Sequence, residues 1–383
     1  MRAENLDLQG SYDTIIMSNL VGVLPDIDTV IDQLNKITHP GSRIIITTYN
    51  RLWEPAIRLA EWLRIKRSTP VQNWLSRHDL ENIMDLKGFE TYRTSRSMLI
   101  PYKIPLVSCF LNKVISRLPF FNMFCLNNYL FARPDGRQRS SKKEYSTSIV
   151  IPARNEAGNI EKAIKRIPVF GKHVEIIFVE GNSSDNTWDK IKEVRRKYQH
   201  SHDIKHIKQP GKGKGDAVRA GFKTATGDIL MILDADLTVP PEELPRFYNA
   251  LKERKGEFIN GVRLVYPMEK NAMRPLNTLD NHFFSLLFSW LLERPVKDTL
   301  CGTKVMLKKN YEQLEKNRSF FGDFDPFGDF DLLFGAHKLN LKIIDLPVHY
   351  KERKYGDTNI SRFRHGFILL KMSAFAASKI KFR

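Results

Sequence analysis

Apolar and polar positions along the chain fall into two blocks of strand and helix signals with a polar break between them. In the first block, the run Thr14 to Met17 of "YDTIIMSNLVGVL" is apolar enough for a central strand and opens into a loop at Ser18 and Asn19. A helix is predicted from about Asp28 to Thr38. The segment "PGSRIIITTYN" then predicts a Pro-Gly turn and a second strand, Arg43 to Thr48. Farther on, "HDLENIMDLKGFETYR" reads as a helix and a strand meeting at Gly88 and Phe89. The break is "RPDGRQRSSKKEYS", Arg133 to Ser146, basic and poor in apolar residues, which reads as a linker.

Beyond the break, strand and helix alternate quickly: "TSIVIPA", "NIEKAIKRI", "VEIIFVEG", "TWDKIKEVRRKY", "DIKHIKQ", "GDAVRAGFKTA" and "DILMILDAD". That alternation predicts an α/β fold, a mostly parallel sheet covered on both faces, with ligands outside the carboxyl ends of its strands. Polar residues gather at those ends. Pro152, Arg154, Asn155 and Glu156 follow the first strand, Glu180, Asn182, Ser183 and Asp185 the second, and Asp234 and Asp236 the last. An ionised carboxylate is costly to bury without a partner, so three strand ends rich in acids and amides point to one site for a cation or polar ligand.

Composition narrows the class. The 383 residues are 42% hydrophobic and 27% charged, which suits a folded chain of two or three domains. A formal net charge of +18 calls for an anionic partner: nucleic acid, phospholipid or a phosphorylated substrate. Only about +3 of it precedes the break, from 15 Lys and Arg against 12 Asp and Glu, so the excess lies in the linker and the second block. Cys109, Cys125 and Cys301 have no metal-type spacing, and their odd number speaks for a reducing compartment. The start "MRAENLDLQGSYD" has no apolar signal core, and the longest apolar run, "FFSLLFSWLL", is far short of the roughly 18 residues a spanning helix needs. A cytoplasmic or peripheral protein is therefore expected.

The motifs of the second block carry a resemblance. "IPARNE", "VEGNSSDNT", "GKGKGDAVRAGF" and "DADL" stand in the order found in family 2 glycosyltransferases, which have the GT-A fold, and the resemblance spans Thr147 to Ile360. It implies a nucleotide-sugar donor and a divalent metal, Mg2+ or Mn2+, because a hard cation on oxygen ligands neutralises the leaving diphosphate. It places the metal on Asp236, with Asp234 beside it or on the donor. It also puts Pro152, Asn155, Glu156, Glu180, Asp185 and Lys214 around the donor, Glu156 and Glu180 taking ribose hydroxyls or the base edge. Glu180 and Gly181 stand where the family usually has two aspartates, which leaves uridine and guanosine both open.

Downstream, "GVRLVYPMEKNAMRPLN", "VKDTLCGTKVM" and "ERKYGDTNI" resemble the dolichyl- and polyprenyl-phosphate sugar synthases of that family. The resemblance implies that Arg263, Arg274 and Asp298 serve an acceptor phosphate and that Arg353 reaches the donor diphosphate, with Thr358 and Asn359 replacing the usual Ser-Lys. In "FDPFGDFDLLFGAHKL", Asp323, Asp325, Asp329 and Asp331 are candidates, and Asp329 or Asp331 would face the acceptor and act as base if the nucleophile is a hydroxyl. Cys301 reads as a packed thiol, since no histidine is placed beside it. The first block resembles the later part of class I S-adenosylmethionine-dependent methyltransferases, without the glycine-rich cofactor loop.

The expected organisation is a partial methyltransferase-like domain at 1–132, a linker at 133–146, a glycosyltransferase domain at 147–360 and a basic amphipathic helix at 361–383. In that helix Phe367, Leu370, Phe375 and Ile380 would share a face, flanked by Arg362, Arg364, Lys371, Lys379, Lys381 and Arg383. Such a helix reads as a contact with an anionic membrane surface on the inner side of the cell membrane. The expected activity is inverting sugar transfer to a polyprenyl phosphate or an envelope glycan. The alternatives are a hydroxyl-acceptor transferase for surface polysaccharide, a sugar nucleotidyltransferase and, from charge alone, a nucleic-acid-binding protein. The last leaves the strand-end acids unexplained, so no nucleic acid is expected as a partner.

Overall fold

The computed structural model describes residues 10–67, 73–135, 143–263, 275–318, 328–353, 355 and 362–382. The chain divides into two compact units, Met1–Arg139 with Ile380–Arg383, and Ser140–Lys379.

The first unit runs β1 (Tyr12–Ser18), α1 (Ile27–Lys36), β2 (Thr38–Tyr49), α2 (Glu54–Trp62), α3 (Arg77–Leu86), β3 (Phe89–Ser97), α4 (Val107–Lys113), α5 (Pro119–Asn122) and β4 (Asn127–Pro134). Its sheet has the order β1-β2-β4-β3, with β1 parallel to β2 and β4 antiparallel to both neighbours. Local chemistry fixes the helix ends. Asp26 accepts from the Thr29 N–H to cap α1, and Ser76 and Asp79 form a capping box at α3. Gly88, at φ 80°, ends α3 in the left-handed region and turns the chain into β3.

Two boundaries differ from expectation. The Pro-Gly step expected as a turn lies within β2, whose pairing jumps from Tyr12↔Thr38 to Thr14↔Arg43, so the extra residues bulge out of the ladder. The linker starts later than Arg133: that residue lies in β4, and its guanidinium donates to Glu90 across the β3–β4 pair, both side chains being buried.

The second unit runs β5 (Ser146–Ala153), α6 (Ala157–Arg166), β6 (His173–Glu180), α7 (Thr187–Tyr198), β7 (Asp203–Lys208), α8 (Lys214–Thr224), β8 (Ile229–Ile232), α9 (Leu244–Lys252), β9 (Phe258–Val262), α10 (Pro275–Leu291), β10 (Lys304–Leu307), α11 (Lys308–Lys316), α12 (Asp329–Lys338), β11 (Ile343–Pro347) and α13 (Arg362–Ile380). The sheet order is β11-β9-β10-β8-β5-β6-β7. Strands β5 to β8 are mutually parallel, β10 is antiparallel to β8 and β9, and β11 is parallel to β9.

Alternation along the central strands builds the core on both faces. Ile149, Ile151, Phe178 and Met231 pack with Ile160, Ile164, Ile191 and Val194 of α6 and α7. Val150 and Val179 point the other way, where α8 approaches so closely that a Cβ on Gly221 would overlap Val150. In α13 the buried stripe is Leu369, Met372, Ser373 and Ala376, whereas Phe367 and Leu370 of the expected apolar face are 71% and 46% exposed. The i, i+3, i+4, i+7 rhythm of a helix selects the former set. No helix among the described residues is long and apolar enough to cross a membrane.

Candidate active site

The carboxyl ends of β5, β6 and β8 are laced together by side chains. After β5, Asn155 adopts φ 56°, and its N–H donates to Ser183 Oγ (3.1 Å) while its Oδ1 accepts from the Ser184 N–H (2.8 Å). The Glu156 N–H donates to Thr187 Oγ1 at 2.9 Å, so the loops after β5 and β6 hold each other. Pro152 points toward β8 beyond Val150, the last β5 residue paired with that strand, so its missing N–H interrupts no ladder bond there.

Strand β8 ends at Ile232, and Leu233 donates to the Val150 carbonyl at 3.0 Å before the chain delivers the two acids. Asp234 Oδ1 lies 2.6 Å from Lys214 Nζ, at the first residue of α8. Asp236 Oδ1 accepts from the N–H and hydroxyl of Thr238 (3.1 and 2.9 Å), and its Oδ2 accepts from Arg353 Nη2 at 2.7 Å. The other arm of that guanidinium, Nη1, lies 3.4 Å from Glu156 Oε1, so Arg353 bridges the ends of β5 and β8. Tyr355 packs where a Cβ on Gly158 would stand, at the start of α6.

Electrostatics divide these acids. Burial pushes the Glu156 carboxyl up to about 7, against the Asn159 amide (2.8 Å) and Arg353, which pull it down. Burial also acts to raise Asp234, but Lys214, Lys304 and Arg263 outweigh it and hold that carboxyl below its ordinary value. The Lys214 ammonium is disfavoured by burial, yet Asp234 and Asp329 raise it above the usual lysine range. Lys214 therefore stays a cation at the acid pair.

A second layer comes from residues far along the chain. Asp329 starts α12 and sits 3.0 Å from Lys304 Nζ, both buried. Gly328, at φ 77°, brings the start of α12 so close to α8 that a Cβ would lie 2.9 Å from Gly215 Cα. At Gly302 a Cβ would overlap both Asp234 Oδ2 and Lys214 Nζ. Only glycine leaves room for that pair.

The remaining predicted residues are placed as follows. Glu180 is buried and accepts from the Ser183 N–H at 2.5 Å. Asp185 accepts the Thr187 N–H (3.0 Å) and so holds the start of α7. Arg263 Nε and Nη2 grip Asp298 at 2.7 and 2.9 Å, its own N–H donates to the same carboxylate (3.0 Å), and its guanidinium lies 5.2 Å from the Tyr350 ring centre. Asp331, two residues beyond Asp329, faces another way and pairs with Arg318 at 3.1 Å. Cys301 is buried, and burial pushes its thiol up to about 12. Arg274, Asp323, Asp325, Thr358 and Asn359 lie outside the described residues.

Sequence reasoning named Gly302 and Lys304 only as members of the acceptor segment "VKDTLCGTKVM" and missed the places they take beside Asp234, Lys214 and Asp329.

Chemically, the residues present fit a divalent cation in one mode. No group of three or more His, Cys, Asp or Glu able to hold a metal occurs among the described residues. Two hard carboxylates, with Asp234 Oδ2 kept clear by Gly302, suit an ion that completes its shell with phosphate and water.

A family model described as glycosyl transferase family 2 matches residues 148–374, and one described as a methyltransferase domain matches residues 1–94. The dolichol-phosphate mannosyltransferase of Pyrococcus furiosus is 40% identical over 108 residues, 27% of this chain and 30% of that protein, so the match spans under a third of that relative. Among solved structures, glucosyl-3-phosphoglycerate synthase from Mycobacterium tuberculosis, in complex with Mn2+, UDP-glucose and phosphoglyceric acid, is 18% identical. It aligns over 62% of this chain and 81% of its own, at a TM-score of 0.46. S. aureus TarS 1–349 is 15% identical over 62% of this chain and 67% of its own, at a TM-score of 0.41.

Proposed function

We propose, for a chain that belongs to glycosyl transferase family 2, that it moves one sugar from a nucleotide-diphosphate donor to a phosphate-bearing lipid or envelope-glycan acceptor, with inversion. The observation that carries this reading is the cluster at the strand ends: Asp234 on Lys214, and Asp236 on an Arg353 that also reaches Glu156. Two acids each held by a cation form a site that accepts a diphosphate readily, because its oxygens offer Lys214 and Arg353 new partners.

Asp234 and Asp236 would hold the divalent ion, Mg2+ or Mn2+, which when bound supplies charge neutralisation for the departing diphosphate. Glu156 and Glu180, buried at the ends of β5 and β6, would take the nucleoside. Asn155 and Asp185 shape that edge through the Ser183, Ser184 and Thr187 bonds. Pro152 closes it from β5.

Inversion follows from a single displacement. The acceptor oxygen forms its bond to the anomeric carbon on the face opposite the breaking bond to the diphosphate oxygen, which leaves with the electron pair. An acceptor phosphate is already ionised at neutral pH and needs no base; a hydroxyl acceptor would give its proton to Asp329. Arg263 spends Nε and Nη2 on Asp298, so a contact from Arg263 to an acceptor phosphate would use its remaining guanidinium hydrogens. The N-terminal unit is read as a methyltransferase-like body.

The test of function is turnover of UDP- and GDP-sugars with a polyprenyl phosphate, with and without a chelator. Chelator-sensitive release of nucleoside diphosphate supports the proposal. Release of pyrophosphate would favour a nucleotidyltransferase, and transfer only to sugar hydroxyls would favour the polysaccharide reading.

A further inference from the structure

The N-terminal unit carries an exposed apolar surface. Tyr49 at the end of β2 and Ser97 at the end of β3 both lie in register with Asn127 at the start of β4. The segments 50–67 and 98–126 therefore leave the sheet at one end. They are also tied to each other there. Asn50 Nδ2 donates to the carbonyls of Met123 (2.9 Å) and Cys125 (2.8 Å), and Trp53 Nε1 donates to the Phe124 carbonyl at 2.7 Å.

Large apolar side chains stand in solvent on both segments. Trp62 is 78% exposed, Ile65 63%, Leu106 88%, Phe110 56% and Phe120 65%. Leu106 is held at φ 62°, an unfavourable backbone state for a non-glycine residue, at the very point where its side chain projects outward. The rings of Phe120, Phe121 and Phe124 pack edge-on at 5.5 and 5.6 Å, a built aromatic group.

Charge selects the occupant. Between Met98 and Leu126 the chain has Lys103, Lys113 and Arg117 and no acid, and residues 50–67 carry five Lys and Arg against two Glu. Exposed aromatics and aliphatics interleaved with cations, on short helices and turns too short to span, match the interface of an anionic bilayer.

We infer that this end of the N-terminal sheet docks the protein onto anionic phospholipid, with Trp62, Ile65, Leu106, Phe110 and Phe120 entering the headgroup boundary and Lys103 and Lys113 facing lipid phosphate. The inference deepens the reading of a lipid-borne acceptor, but its test involves no donor and no transfer, so either can fail alone.

The experiment is sedimentation of the full chain with vesicles of phosphatidylcholine alone or mixed with phosphatidylglycerol, at low and high salt. Wild type, Trp62→Ser/Phe120→Ser and Lys103→Glu/Lys113→Glu are compared, with melting curves to show that the variants are folded. The account expects binding to the anionic vesicles that falls about tenfold or more in each double variant, and salt sensitivity that is lost with the lysines. Equal binding by wild type and both folded variants would overturn it, as would no binding at all. Self-association of wild type that the Trp62/Phe120 variant abolishes, without vesicle binding, would assign the surface to a second copy and also overturn it.

Discussion

The two ends of the seven-stranded sheet both bury acids, and they treat them differently. At the amino ends, Glu175 is buried and fully engaged: Ser148, Lys205, and both the N–H (3.0 Å) and hydroxyl (2.8 Å) of Thr226 donate to it. Burial alone would raise its carboxyl, but those donors hold it below the ordinary range. At the carboxyl ends, Glu156 has one amide at 2.8 Å and a distant guanidinium, and its carboxyl sits near 7. A buried acid is thus no mark of a site by itself. What marks the carboxyl ends is that Asp234 and Asp236 are held by Lys214 and Arg353, cations able to change allegiance to a ligand.

That contrast can be broken from either side. The largest effect is expected at the structural end: Glu175→Ala leaves Lys205 and three polar donors without their acceptor and should cost about 3 kcal/mol of stability or more in denaturant unfolding. Donor affinity of the folded fraction should stay within about twofold. At the functional end, Asp236→Asn should lower turnover at least about 10²-fold with the melting curve little changed.

The pH dependence of stability separates the ends further. Glu156 in the unfolded chain titrates near 4.5 and in the folded protein near 7. Its raised folded value favours the protonated form, so the associated stability is complete below about 4.5 and is lost as pH rises through 7. Glu156→Gln should remove that loss. Its stability relative to wild type should climb by about 2–3 kcal/mol between pH 4 and 8, and a flat difference would contradict the assigned environment.

Smaller still, Gly302→Ala should cost roughly tenfold in donor affinity by displacing the Asp234–Lys214 pair. Maleimide labelling should find Cys109, which is exposed, and spare the buried Cys125 and Cys301 until unfolding.

Much of the carboxyl-end site was legible in the sequence because strand signals locate strand ends, and Asp234, Asp236, Glu156 and Glu180 stand immediately after apolar runs. Lys304 and Gly302 were not legible in these roles, since they depend on the antiparallel insertion of β10 between β8 and β9, which no local pattern announces. Asp329 and Asp331 could not be separated by composition. Helical geometry does so by turning them to Lys304 and to Arg318. Arg133 looked like linker because its partner, Glu90, lies on another strand, and in α13 the chemistry of large side chains suggested a face that the burial of Leu369, Met372 and Ala376 does not follow.

The most direct test is calorimetry of nucleoside diphosphates, UDP and GDP, in the presence of Mn2+, on wild type, Asp236→Asn and Glu175→Gln. The account predicts that wild type and Glu175→Gln bind one of the two nucleotides with similar affinity and that Asp236→Asn binds it at least about tenfold more weakly. Equal affinity in all three, or loss in Glu175→Gln alone, would contradict the claim that the carboxyl ends of this sheet form the donor site.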